Sequence, residues 1–294
     1  MDRAFGETDI TADVRAVDWI RQRSPDFRPR VGIILGSGLG ALANSIQATA
    51  IHPYQDVPGF PISHVAGHAG NLVLGTLGSV PVIALQGRAH LYEGWTVEQS
   101  TLPVRTMARL GIRLLIVSNA SGGIAPRFRS GQTVLIDHHV NLMFRKGILI
   151  TEVGNTKSGE SKPHAASCGV PNRTAAIYDP NWMDRAEKEA MGLGFSLPRG
   201  TYLGTLGPNY ETRAEYRAFA KMGADMVGMS TVPETIAASQ LGIPSLAFSI
   251  VTNVAKPDAP SKTEHTDVLE WSKTAQKQLV PLIERLLSKY FSDK

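Results

Sequence analysis

The chain has 294 residues, 43% hydrophobic and 19% charged, with a formal net charge of +4, 28 glycines, 18 prolines and one cysteine. That length supports a sizeable core, no apolar run nears the roughly 20 residues that span a bilayer, and the lone Cys168 rules out an internal disulfide framework and weighs against a thiolate metal site. The small basic excess is scattered along the chain, which suits an anionic small molecule and points away from nucleic acid and membrane as partners.

In chain order, the opening MDRAFGETDITADVR is too polar and acidic for a signal or transit peptide, so a cytoplasmic location is expected. Val14, Val17 and Ile20, behind an acidic start at Asp9, predict an amphipathic helix closed by Pro25. VGIIL (31–35) has no polar alternation, the pattern of a strand covered on both faces. ILGSGLGAL (34–42) turns straight off it. Gly36, Gly38 and Gly40 free the backbone to present N–H groups, Ser37 adds a hydroxyl, and ALANSI would set a helix N-terminus behind a bound anion. Two plainer readings stand beside that one: a tight strand exit, and a dinucleotide fingerprint with Asp56 on a ribose. Asp56 sits in HPYQDVPGFP, whose three prolines fit poorly with a buried strand end, and no Gly-Lys-Ser/Thr follows as in a P-loop.

GHAG (67–70) sets His68 between glycines just before the apolar runs NLVLGTL (71–77) and VPVIAL (80–85). QGRAHLYEG (86–94) then places Arg88, His90 and Tyr92 at i, i+2 and i+4, on one face if the chain stays extended. Arg88 alone reads equally as a phosphate clamp or as a solvated loop arginine. His64, His68 and His90 lack a metal-ligand spacing, and His138 and His139 point to opposite faces of a strand.

Thr96 and Gln99 form a capping box for a helix through Val104, Met107 and Leu110. RLLIVSN (113–119) leads into a glycine turn, with Asn119, Ala120 and Ser121 at the carboxyl end of a strand, where open α/β sheets bind ligands. After TVLIDHHV (133–140), residues 145–180 show no period, the mark of a functional or mobile loop. A helix near 181–192 and the strand GTYLGTL (200–206) precede Glu211 in TLGPNYETRAEY, which reads as an active-site acid or as a first-turn helix residue. A helix over 212–222 ends at Gly223, and ADMVGM (224–229) follows. Thr231 is the expected cap of a helix over 232–241, with Pro233 early and Glu234 as box partner, leaving Ser230 for a ligand. SLAFSIVT (245–252) brings Thr252 and Asn253 to a strand end, where an asparagine is also a turn former. A charged helix over 265–290 closes the chain. The alternation predicts an α/β protein, one domain over 1–294, with a mixed or mostly parallel sheet covered by helices.

GSGLG, PGF…GHAG, QGRAHLYEG, VSNASGG, GPNYET, GADMVGMSTVPE and VTN occur in the order found in purine nucleoside phosphorylases of the trimeric type. Residues 30–270 resemble that family, least across 145–180. The resemblance implies a central distorted mixed β-sheet flanked by helices, assembled as a homotrimer with sites near subunit interfaces. It implies reversible phosphorolysis of 6-oxopurine ribo- and deoxyribonucleosides such as inosine and guanosine, yielding free base and pentose 1-phosphate in purine salvage. Inorganic phosphate is then a co-substrate, with no cofactor and no metal. By motif, Ser37, His68, Arg88, His90, Ala120 and Ser230 resemble the phosphate site, and Tyr92, Met229 and His265 the ribose site. Tyr210, Glu211, Val227, Gly228, Thr252 and Asn253 resemble the base site, with His90, Glu211 and Asn253 the expected catalytic groups. The related methylthioadenosine phosphorylases carry Asp where Asn253 stands and lack a histidine like His265. A nucleoside hydrolase would need an aspartate cluster for calcium, and the sequence offers none. Two positions depart from the pattern. The family's intersubunit aromatic falls in PNRTAAIYD, where Thr174 replaces it unless Tyr178 serves, and Tyr210 replaces a common Phe, leaving hypoxanthine, guanine and xanthine open as bases.

Overall fold

A run such as Val31–Leu35 has no face to offer water, and the fold gives it none: all five residues are buried, between parallel neighbours on both sides. The computed structural model describes residues 12–36, 40–144, 176–255 and 265–291. The elements in chain order are α1 (Ala12–Arg23), β1 (Val31–Leu35), α2 (Ala41–Asn44), β2 (Gln47–Pro53), β3 (Asn71–Leu77), β4 (Val80–Gln86), α3 (Val97–Ser100), α4 (Leu102–Leu110) and β5 (Leu114–Gly123). They continue with β6 (Thr133–Asn141), α5 (Pro180–Gly192), β7 (Arg199–Gly204), α6 (Arg213–Lys221), β8 (Met226–Gly228), α7 (Val232–Gln240), β9 (Ser245–Val254) and α8 (His265–Tyr290). No helix among these residues is long and apolar enough to cross a membrane.

The nine strands form one mixed sheet in the order β2-β3-β4-β1-β5-β8-β7-β6-β9, and β9 also pairs with β5. Five strands, β5, β8, β7, β6 and β9, thereby close into a ring, while β1, β4, β3 and β2 extend from β5 as a wing. The expected α/β class with a distorted mixed sheet and flanking helices is what the chain adopts. The branch lies partway along β5. Its first half pairs with β1 up to Val117, and its second half runs on beside β9 to Gly123 and meets β8 at Gly122 and Gly123. A crevice opens where β1 stops and β5 continues, the switch-point position of ligand sites in α/β sheets.

Several expectations need correction. VSNASGG is not a glycine turn: it remains in β5 because β9 and β8 pair with it. QATAIHP was not expected as a strand, since β2 is an exposed edge with no apolar face. The helix from Thr96 has its capping box but stops after one turn and restarts as α4, because Pro103 has no N–H to continue the ladder. The dinucleotide alternative fails in topology: the segment after α2 goes to the antiparallel edge beside β3, and Asp56 lies in a short 3₁₀ turn. Helix α2 has only four residues, a meagre dipole behind the glycine turn. Asp9, Gly38, Cys168 and Thr174 lie outside the described residues.

Gly36 ends β1 pressed against β5. A Cβ there would stand 2.6 Å from the Ser118 carbonyl oxygen and 2.9 Å from the Asn119 Cα, so the close approach that forms the crevice requires glycine. Gly36→Ala is expected to lower unfolding free energy by about 1–3 kcal/mol, the usual cost of overpacking, as measured by urea denaturation.

Candidate active site

The loop after β4 delivers Arg88 into the interior, only 5% exposed. A buried guanidinium needs acceptors on every side. Nη1 donates to Glu234 Oε1 and Thr231 Oγ1, both at 3.2 Å, and Nη2 donates to the carbonyls of Ile34 and Ser118. Two of the partners come from the end of β1 and the middle of β5, and two from the start of α7. Arg88 is therefore not a solvated loop residue. Its bonds also correct the expected cap. Thr231 makes no side-chain cap, and Glu234 turns to Arg88. The Thr231 hydroxyl takes N–H bonds from Arg88 and, at 2.7 Å, from Asn119, so its own proton is left for Ser230 Oγ, 3.3 Å away. Thr231 holds φ +70°, alone among the described non-glycine residues. A β-branched residue persists in that region only where its surroundings hold it, and here a buried ion pair and two hydrogen bonds do so. Ser249 extends the chain of bonds from Asn119 to Ser121 at 2.7 and 2.6 Å.

His68, His90 and Tyr92 stack in sequence, ring centroids 5.3 and 4.8 Å apart. Tyr92 arrives there through a 3₁₀ turn over Leu91–Glu93 rather than along an extended strand, so Arg88, His90 and Tyr92 all reach the cleft without the extended path expected of them. Burial, then the neighbouring His90 and Arg88, push His68 down to about 4, so its ring is neutral at neutral pH. Burial raises the Glu93 carboxyl, but bonds from the His90 ring and from the amides of His64 and His90 outweigh it and hold the group at about 2. Glu93 accepts from His90 Nδ1 at 3.3 Å, which leaves Nε2 as the ring nitrogen for a ligand. Burial, with the charge of Glu93, lifts the Tyr92 phenol to about 12 and keeps it a donor.

The opposite wall has another chemistry. Glu211 precedes α6 rather than entering its first turn, because Thr212 is the cap and Glu215 its box partner. Freed from the helix, the Glu211 carboxylate accepts from Thr205 Oγ1 and from Tyr216 OH, both at 3.2 Å. Asn253, near the end of β9 and opposite Gly122 of β5, receives a bond from Thr252 Oγ1 at 3.3 Å. Tyr210 stands at the rim, 57% exposed.

One cleft, open to solvent, joins the two walls. Of the expected phosphate residues, His68, Arg88, His90, Ala120 and Ser230 line it. Tyr92 and Met229 of the ribose set line it too, as do all six of the base set: Tyr210, Glu211, Val227, Gly228, Thr252 and Asn253. Ser37 and the side chain of His265 lie outside the described residues, although His265 opens α8. Val65 and Tyr216 also line the cleft and were not anticipated. Tyr216 sits at i+5 from Glu211, outside the i+3 and i+4 spacings of helical neighbours, and Glu211 precedes α6, so no spacing rule would have found it. Tyr178 is no candidate for a wall shared with a neighbour: it is 2% exposed, and its hydroxyl bonds His139 Nδ1 at 2.9 Å in this chain's own core.

A sequence profile described as "Phosphorylase superfamily" matches residues 30–288. Purine nucleoside phosphorylase 1 of Bacillus subtilis (strain 168) is 40% identical over 278 residues, 94% of this chain and 97% of that protein. The crystal structure of Schistosoma mansoni purine nucleoside phosphorylase in complex with adenosine superposes with a TM-score of 0.83 at 32% identity, covering 98% of this chain and 100% of that one. A Schistosoma purine nucleoside phosphorylase in complex with guanosine gives 0.82 at 30%, covering 98% and 100%.

The Arg88–Glu234 pair makes a stability prediction. Glu234→Ala leaves a buried guanidinium without its counter-charge, and the expected loss is about 3–5 kcal/mol, read from chemical denaturation against the parent protein.

Proposed function

The chain belongs to the phosphorylase superfamily, among the purine nucleoside phosphorylases, and we propose that it carries out reversible phosphorolysis of 6-oxopurine nucleosides, inosine and guanosine with their deoxy forms, in purine salvage. Inorganic phosphate is the co-substrate, and no other cofactor takes part. The observation that carries this reading is the polarity of the cleft, with a guanidinium and two imidazoles on one wall and a carboxylate beside an amide on the other.

Phosphate sits against Arg88, His68, His90, Ser230 and the backbone at Ala120, with Ser37 closing the site. Tyr92, Met229 and His265 hold the sugar between that anion and the base. As the glycosidic bond loosens, C1′ gains oxocarbenium character, and the adjacent phosphate both stabilises it and attacks it. The C1′–N9 electron pair leaves with the purine. Asn253 donates to N7 as negative charge collects there, and Glu211 accepts from N1–H of the 6-oxopurine. Tyr210, Val227, Gly228 and Thr252 enclose the ring. Adenine has no N1–H and would turn a lone pair toward Glu211, a mismatch that can cost as much as about 10⁴–10⁵ in rate. One Schistosoma structure holds guanosine and another adenosine, so occupancy does not discriminate and turnover is the quantity to measure.

We further propose a homotrimer in the cytoplasm. The apolar side chains of Leu206 and Tyr210, 46% and 57% exposed near the cleft mouth, support a subunit interface there.

The direct test supplies inosine with and without phosphate. Hypoxanthine and ribose 1-phosphate should form together and only with phosphate, and phosphate-independent cleavage would sink the reading. Asn253→Ala is expected to lower kcat for inosine by about 10²–10³, measured in steady state.

A further inference from the structure

Tyr216 is held by neither wall alone. Its ring packs against the apolar cluster of Ile124, Leu203, Phe219 and Val227, and its hydroxyl reaches into the cleft between the two groups assigned to the base. The phenol oxygen donates to Glu211 Oε2 at 3.2 Å, and the Asn253 side chain hydrogen-bonds the same oxygen. Burial and the charge of Glu211 push the phenol well above its ordinary range, so it keeps its proton throughout the working pH of an enzyme.

A phenol has one proton. The Glu211 carboxylate only accepts, so the proton goes to Glu211, and the phenol oxygen then accepts from an Asn253 N–H. Thr252 Oγ1 lies 3.3 Å from Asn253 Oδ1 on the other side, but its single proton is shared with the Ser121 carbonyl at 3.2 Å, so it does not orient the amide by itself. Tyr216 thus favours one orientation of the amide, with its nitrogen toward the phenol oxygen and its second N–H left for the purine. Turning the amide over would set Oδ1 against a phenol oxygen whose proton is already committed, two acceptors with no donor between them.

We infer that Tyr216 is a specificity-determining positioning residue, whose hydroxyl ties the orientation of Asn253 to the carboxylate of Glu211 and so fixes the base wall for 6-oxopurines over 6-aminopurines. This rests on the base-site roles given above. A 6-oxopurine presents acceptors at N7 and O6 to the Asn253 N–H. A 6-aminopurine presents a donor at its exocyclic nitrogen, which calls for the reversed amide that Tyr216 opposes.

Tyr216→Phe keeps the ring in its apolar cluster and removes only the hydroxyl. Its kcat/KM for inosine should fall about tenfold, the scale of one hydrogen bond to a charged group, with the loss in kcat because Asn253 acts on charge that develops at the leaving purine. The value for adenosine should hold or rise, so the inosine-to-adenosine ratio drops at least about tenfold. Equal losses for both nucleosides would assign Tyr216 to packing alone and overturn the inference. Glu211→Gln and Asn253→Ala are measured alongside with inosine. If both keep parental turnover, the base-site reading fails and the inference with it. If both lose turnover while Tyr216→Phe keeps the parental ratio, only the role of Tyr216 is overturned.

Discussion

Arg88 carries a full charge inside the protein, and the geometry around it follows from the need to satisfy that charge. Glu234 neutralises it, and the carbonyls of Ile34 and Ser118 and the hydroxyl of Thr231 take N–H bonds. Those partners are the end of β1, the middle of β5 and the start of α7, so one side chain ties the helix start to two paired strands. A buried pair of this kind rarely adds net stability over a hydrophobic packing, because desolvation offsets the attraction. Its effect here is positional. Thr231 stays at φ +70° and Ser230 is turned to the cleft because the arginine they surround leaves no other arrangement satisfied.

The two walls differ in how firmly they are held. Arg88, Asn119, Ser121, Thr231 and Ser249 are buried and joined by hydrogen bonds, so the wall that carries Arg88 belongs to the core. The base wall hangs from the approach to α6 and the tip of β9. Glu211 there depends on two hydroxyl donors, Thr205 and Tyr216, rather than on a charged partner. A phosphate has the same shape whatever nucleoside is offered, whereas the base varies. Substitutions on the α6 approach can therefore change which purine is read without disturbing the ion pair.

Most of the fold could be read from hydrophobic pattern, because buried strands are written plainly: β1 and β3 begin and end where their apolar runs do. The failures share a cause. β2 is exposed and carries no pattern, while the Ser-Gly-Gly end of β5 reads as a turn and stays extended because distant strands pair with it. Pairing of that sort is tertiary and leaves no local trace. The same limit applies at the site. Each motif residue in the described part of the cleft was nameable, yet nothing in STVPE says that Glu234 forgoes its cap for an arginine 146 positions away. Nothing in the spacing singled out Tyr216 either: Glu211 lies before α6, and it is the path of the chain into that helix that sets the two side chains together.

Closing five strands into a ring has a consequence far from the cleft. A flat nine-stranded sheet would present two raw edges, each a template for adding a strand from another molecule. Because β9 returns to β5, the sheet keeps one outer edge among the described residues, β2. That strand is poorly suited to recruit a partner. Its register slips at a bulge between Ala48 and Ala50, Thr49 turns its hydroxyl back to the Leu74 carbonyl, and it ends on Pro53, which has no N–H to give. The element least visible in the sequence is thus the one that protects a crowded solution of these molecules from edge-to-edge aggregation.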